Sequence, residues 1–374
     1  MTISTNSNSR LSALYEEHGQ SPWLDNLRRG WITTGELDQW VASGIRGLTS
    51  NPAIFQKAIE GSADYDEQFI QLIADGVAVG TAYWDLVTSD IRGALDALRP
   101  VYESSNGTDG FVSVEVDPAL ARETDETTRA ARALHERLNA PNLMVKIPGT
   151  LEGLPSVRTM IGEGKSINVT LIFSVSRYRE VMEAYIAGLE DAVEAGCEDL
   201  SGIASVASFF ISRTDTEVDR RLEEIGTEAA LSLRGRTAVA QAQVAYLAFK
   251  TVFDGSRWQA LANRGAQLQR PLWASTSTKN PSYSETLYVD ELIGPNTVNT
   301  MPDNTIDAFV KRGTVARTVD AKPFEPQAVL DAVSALGIDL DNVAAVLEEE
   351  GVASFVKSFD ELIASLSTKA ESLN

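Results

Sequence analysis

The chain has 374 residues, 43% of them hydrophobic and 23% charged, enough for a large buried core and for one to three domains. Its 53 acidic and 32 basic side chains leave a formal charge of −21, which repels phosphodiester backbones and anionic bilayers and argues against nucleic acid or a membrane surface as partner. A single cysteine, Cys197, excludes an internal disulfide and fits a reducing cytoplasm, while two isolated histidines, His18 and His135, argue against a zinc site or a His-based triad.

Residues 1–10 read as a disordered polar tail without a signal-peptide core, and residues 11–17 as a short amphipathic segment. A regular rhythm follows. Strand-like runs are expected at 23–27, 45–49, 111–116, 143–147, 167–173, 203–209, 271–275 and 297–301. Between them lie helical periods at 63–98, 125–138, 154–163, 176–195, 217–253 and 283–292. Strands alternating with helices imply a parallel sheet, and eight such units predict an α/β fold, a closed (β/α)8 TIM-type barrel. Helical periods at 329–336, 340–349 and 355–366 predict additional C-terminal helices, a cap on the barrel, so that residues 11–374 form one domain. No uncharged apolar run approaches the roughly 18 residues of a membrane span.

The most informative strand is the fourth, in Asn142-Leu143-Met144-Val145-Lys146-Ile147-Pro148-Gly149-Thr150. A strand buried on both faces rarely carries a charge without a use for it. Lys146 is either a strand-end lysine that snorkels to solvent or an amine kept partly neutral by burial so that it can attack a carbonyl. Neighbouring strands bear on the choice, because successive residues face the barrel lumen and the helices alternately. In residues 111–117 the valines share one parity, and Ser113, Glu115 and Asp117 the other; in 167–171, Asn168 and Thr170 oppose three aliphatics. By the same count Lys146 joins Asn142 and Met144, Asp25 joins Trp23 and Leu27, and Asn51 joins Thr49. The lumen is therefore expected to be polar towards its C-terminal rim, where barrel enzymes build their sites.

After the sixth strand, Ser208 to Arg213 combines hydroxyls with a cation; after the seventh, Ser275 to Lys279 does the same. Barrels often bind phosphate on their late loops, with arginine as a fork and lysine as a point charge. The bland alternative for Arg213 is a salt bridge with Asp215 or Glu217. No Walker loop or GxGxxG fingerprint occurs, which leaves a nucleotide cofactor without support.

Gly47-Leu48-Thr49-Ser50-Asn51-Pro52, Val114-Glu115-Val116-Asp117, Leu143 to Pro148 and Ile167 to Ser174, in this order around the lysine, resemble the transaldolases, of the longer bacterial kind, over most of residues 20–305. The resemblance implies a (β/α)8 barrel that transfers a dihydroxyacetone unit between sugar phosphates in the pentose phosphate pathway, in the cytoplasm, as a monomer or homodimer. It implies a Schiff-base route with no metal or organic cofactor. Lys146 would be the Schiff-base lysine, Asp25 the acid/base at the carbon-carbon bond and Glu115 the partner of a catalytic water. Asn51, Asn168, Thr170 and Ser208 would hold substrate hydroxyls and that water, with Phe210 beside the substrate. Arg213 and Ser275 would bind phosphate, with Lys279 where many members carry a second arginine. Glu115 and Phe210 favour the transferase over an aldolase that releases free dihydroxyacetone, since such relatives tend to carry an amide and a tyrosine there. A non-catalytic sugar-phosphate-binding barrel is the remaining alternative.

Overall fold

The structure, a computed structural model, describes residues 10–373. Eight parallel strands follow one another in chain order and close into a barrel: β1 (Gln20–Leu24), β2 (Leu48–Thr49), β3 (Val112–Glu115), β4 (Leu143–Pro148), β5 (Ile167–Ile172), β6 (Ser205–Phe210), β7 (Arg270–Ala274) and β8 (Thr297–Met301). Closure comes from β8 pairing with β1 in the register Gln20↔Thr297 to Leu24↔Met301. All eight expected strands are present, with shifted ends. The largest shift is in β1, which ends at Leu24, so that Asp25 sits on the rim and Leu27 joins the helix-side core instead of the lumen.

Parity sorts the side chains as the alternation of each strand requires. Val112, Val114, Val145, Ile147, Ile167 and Val169 pack outward under the helices, while Trp23, Met144, Val206, Leu272 and Val298 fill the lumen. Room for Trp23 depends on Gly47, where a Cβ would lie 2.4 Å from the indole. Two residues besides Leu27 depart from the expected sorting. Leu171 adopts φ 59° at a register shift between Val169 and Ile172, and this β-bulge turns it away from the helix-facing aliphatics to a cluster with Phe173 and Phe210. Asp117 lies beyond β3 and accepts from the Ala119 amide at 2.9 Å, capping the short helix Pro118–Leu120.

Several helical periods resolve differently from their sequence pattern. The stretch 63–98 breaks at Asp75-Gly76 into Asp66–Ala74 and Val79–Ser104, and 217–253 divides into Ser212–Ile225, Glu228–Leu231 and Thr237–Val252. Of 283–292 only Leu287–Asp290 is helical. Short helices such as Arg29–Thr33 and Pro52–Glu60 span too few turns to show a period; the second is announced by Asn51, whose side chain accepts from the Ile54 amide at 3.0 Å, with Pro52 in its first turn. The expected tail lies outside the described residues except for Arg10, which opens the helix Arg10–His18.

At the C-terminus, 340–349 and 355–366 merge into one helix of 32 residues, Leu340–Glu371, running through Gly351 and started by Asp339, which accepts from the Asp341 and Asn342 amides. Its residues Gly351, Ser354 and Phe355 lie against the barrel's C-terminal mouth. No helix among the described residues is long and apolar enough to cross a membrane.

Candidate active site

The C-terminal ends of the strands surround a cavity of about 990 Å³. Lys146 lies at its inner end, only 4% exposed. Parallel register sets Glu115 beside it on β3 and Asn168 beside it on β5. The Lys146 Nζ is 3.0 Å from Glu115 Oε2 and donates to the Ser50 carbonyl at 3.0 Å. It does not snorkel: the stem is enclosed and the ammonium is held inside the lumen.

Asp25 enters from the rim of β1. Thr49 on β2 donates to its Oδ1 at 2.7 Å, and the Thr49 and Thr300 hydroxyls are 2.6 Å apart, so that Thr300 supplies the proton Thr49 has given away. Burial raises the Asp25 carboxyl above its ordinary value, opposed by the Thr49 bond and by the charges of Lys146 and Lys279. Burial also raises Glu115; Lys146 opposes it and the charge of Asp25 adds to it. Both carboxyls thus favour the proton more than a solvated acid does, for the same physical reason.

Beneath them runs a fully bonded belt. Asn168 donates to Ser113 Oγ at 3.0 Å and accepts from Ser208 Oγ at 2.7 Å, which fixes the orientation of its amide. Asn168 and Glu115 sit behind the cavity wall; Asp25, Asn51, Lys146, Thr170, Ser208 and Phe210 form it. The Thr170 hydroxyl is buried and makes no hydrogen bond to the protein, and neither does Glu115 Oε1. Beside Glu115, between Ser50, Asn51, Val116 and Tyr83, is a void of about 10 Å³, at the lower limit of what one water occupies. The left-handed Leu171 follows Thr170 directly, and Ser275 at the end of β7 is likewise left-handed, φ 56°. Non-glycine residues in this region are strained and tend to cluster where a side chain must be aimed.

The outer cavity is cationic. Arg213 forms neither of the salt bridges that are the alternative to phosphate binding: Glu217 pairs with Arg220 and Arg221, and Asp215 accepts from the Ala238 amide and the Tyr288 hydroxyl. Its guanidinium lies 5.6 Å from the Phe210 ring and 5.9 Å from that of Phe355, on the C-terminal helix, and burial lowers its pKa from the ordinary arginine value. A Cβ on Gly351 would come within 3.5 Å of the same guanidinium. Ser275 Oγ is 2.8 Å from Ser212 Oγ, and Lys279 donates to Ser277 Oγ at 2.7 Å while lining the cavity. Lys279 is lowered by burial first and then by nearby positive charges.

Every sequence-predicted site residue therefore falls at one end of the barrel. Thr49, Thr300 and Phe355 are the residues that the sequence reading did not assign. Thr49 shares the lumen parity of Asn51, and Thr300 that of Val298 on β8, and both could have been found that way; Phe355 carries no local signal. Among the described residues no group of three or more His, Cys, Asp or Glu side chains converges as metal ligands would.

The family profile described as Transaldolase/Fructose-6-phosphate aldolase matches residues 22–366. Curated relatives named "Transaldolase" include that of Saccharopolyspora erythraea, 53% identical over 95% of this chain and 96% of the relative. That of Thermobifida fusca is 52% identical over 92% of this chain and 94% of its own, and that of Mycobacterium leprae 50% identical over 95% of each.

Proposed function

The chain belongs to the transaldolase/fructose-6-phosphate aldolase family and is a transferase of the transaldolase type; from that premise we propose that it moves a dihydroxyacetone unit from a ketose phosphate to an aldose phosphate through an imine on Lys146. Sedoheptulose 7-phosphate or fructose 6-phosphate is the donor, and glyceraldehyde 3-phosphate or erythrose 4-phosphate the acceptor, in the non-oxidative pentose phosphate pathway. The observation that carries this reading is the enclosed Lys146 amine beside Glu115, at the inner end of a cavity whose outer part holds Arg213 and Lys279 without a carboxylate partner among the described residues.

Glu115, disposed by burial to hold a proton, takes one from the lysine across the 3.0 Å contact and frees the amine. Lys146 attacks the ketose carbonyl carbon; a C–N bond forms, the C=O π pair moves to oxygen, and a proton passes from the attacking nitrogen to that oxygen, giving a neutral carbinolamine hydroxyl. Glu115 and a water held by Thr170 return the proton to that hydroxyl, which leaves as water and gives the protonated imine. Asp25 then removes the proton of the C4 hydroxyl. The C3–C4 bond breaks, its electron pair moves into the iminium to form an enamine, and the aldose phosphate departs. When the acceptor aldehyde is attacked by that enamine, Asp25 gives its proton to the new alkoxide and an iminium re-forms on Lys146; water then adds to its carbon and the C–N bond breaks, by reversal of imine formation, freeing the product ketose and the lysine. Asn51, Ser208 and Phe210 orient the sugar chain, Asn168 holds Ser208 in position, and Arg213, Ser275 and Lys279 hold the phosphate.

Borohydride added with fructose 6-phosphate should leave a reduced three-carbon adduct on the peptide carrying Lys146. Lys146→Ala should lose the adduct and fall below about a hundredth of the wild-type rate. A Lys146→Ala enzyme that keeps more than this, or an adduct on another residue, would overturn the proposal.

A further inference from the structure

The helix Pro52–Glu60 turns one face to the cavity: Ala53, Ile54, Lys57, Ala58 and Gly61 line it, at the spacing of a single helical stripe. Lys57 is the one charged residue in this stripe. The cations that line the cavity fall into two groups. Arg28, Arg29 and Lys146 are ion-paired, with Asp303, Asp90 and Glu115. Lys57, Arg213 and Lys279 have no carboxylate within ion-pair distance among the described residues, in a chain with 53 acidic side chains to offer.

The three reach the cavity from different walls. Arg213 follows β6 and Lys279 follows β7, whereas Lys57 is carried by the helix after β2, which stands opposite β6 in a ring of eight strands. Lys279 lies between them electrostatically, since Arg213 and Lys57 both act on it. Glu350 acts on Arg213 and Asp25 on Lys279 only from beyond ion-pair distance, so the three positive charges around one space still gain from a shared polyvalent anion, and a phosphate monoester near neutral pH carries a charge of about −1.5 to −2.

We propose that Lys57 is a third cation of the phosphate site, closing on the substrate dianion from the wall opposite Arg213 and making the cavity selective for phosphorylated over neutral sugars. This inference rests on the phosphate site proposed for Arg213, Ser275 and Lys279. Lys57 is exposed, on a long flexible stem, and can follow the phosphate as ketoses of six or seven carbons occupy the same inner site, whereas the Arg213 guanidinium lies near two aromatic rings.

The test compares Lys57→Ala, Lys57→Arg and Arg213→Ala in the full chain, with fructose 6-phosphate and unphosphorylated fructose as donors and inorganic phosphate as inhibitor. Lys57→Ala should raise KM for fructose 6-phosphate and Ki for phosphate about tenfold, leave kcat within about twofold and leave the fructose reaction unchanged; Lys57→Arg should restore most of the loss. Equal losses on both donors, or an unmoved phosphate Ki in Lys57→Ala while Arg213→Ala raises it, would overturn the role of Lys57 alone. If Arg213→Ala also left Ki unmoved, the phosphate site itself would fall.

Discussion

The two ends of the barrel lumen hold similar kinds of side chain in opposite states. At the N-terminal end, Asp109 is buried and satisfied: Arg46 Nε lies 2.8 Å from one carboxylate oxygen, which Ser21 also reaches, while Trp23 Nε1 at 2.9 Å and Arg270 at 3.4 Å meet the other. Arg46 is further stacked on Tyr15, 3.5 Å from the ring centroid. At the C-terminal end, Asp25 and Glu115 are pushed up by burial, the Thr170 hydroxyl makes no hydrogen bond to the protein, and Lys57, Arg213 and Lys279 face the cavity without a carboxylate at ion-pair distance among the described residues. The satisfied network around Asp109 stiffens the barrel floor; the open one at the mouth is poised for a ligand to complete it. The difference explains how a single lumen can be a packed core at one end and an open polar cavity at the other.

Breaking the satisfied end should give the largest effect. Asp109→Asn leaves Arg46 and Arg270 sharing a part-buried site without a countercharge, and should lower unfolding free energy by about 3–5 kcal/mol in a denaturant titration, while the protein that remains folded keeps its turnover number. Loss of activity with unchanged stability would show that the two ends are not independent.

The poised end should respond in the reverse sense. Asp25→Asn should reduce kcat by about a hundredfold or more, and yet be more stable than wild type at neutral pH. The sign follows from linkage. A carboxyl raised in the folded state contributes stability that is fully present below its unfolded value, near 3.8, and is lost as pH rises through the folded one. The advantage of the amide variant should therefore appear above about pH 4, grow with pH and disappear in acid, as read from melting temperatures across the range. The same raised carboxyl should move the acid limb of kcat/KM in the wild-type enzyme above the ordinary aspartate range, because the proposed removal of the C4 proton needs Asp25 ionised.

The smallest effect belongs to the contact between mouth and C-terminal helix. Phe355→Ala removes one of the two rings beside Arg213, worth about 0.5–1 kcal/mol, and should raise KM for fructose 6-phosphate about threefold with kcat nearly unchanged. A fall in kcat without a change in KM would assign Phe355 to the reaction and not to phosphate.

Much of this contrast is legible in the sequence. Alternation along β3, β4 and β5 assigns Glu115, Lys146, Asn168 and Thr170 to the lumen, because side-chain direction in a strand is a local property with period two. Where the period is interrupted the reading fails: the bulge at Leu171 reverses one side chain, and the early end of β1 removes Leu27 from the lumen. Helix breaks at Asp75-Gly76 and the fusion of two helical periods through Gly351 depend on which neighbour packs against each turn, and propensity is too weak to decide that.

The sequence by itself determined the order of strands and helices, the closed barrel and the set of polar residues facing inward, since each follows from hydrophobic periodicity within a few residues. Only the tertiary structure decided which charges meet a partner. Asp109 finds Arg270 across 161 positions of chain, Thr49 finds Thr300 across 251, and the C-terminal helix brings Phe355 over Arg213. Those pairings are set by closing β8 on β1 and by laying the last helix across the mouth, long-range events that no local pattern encodes.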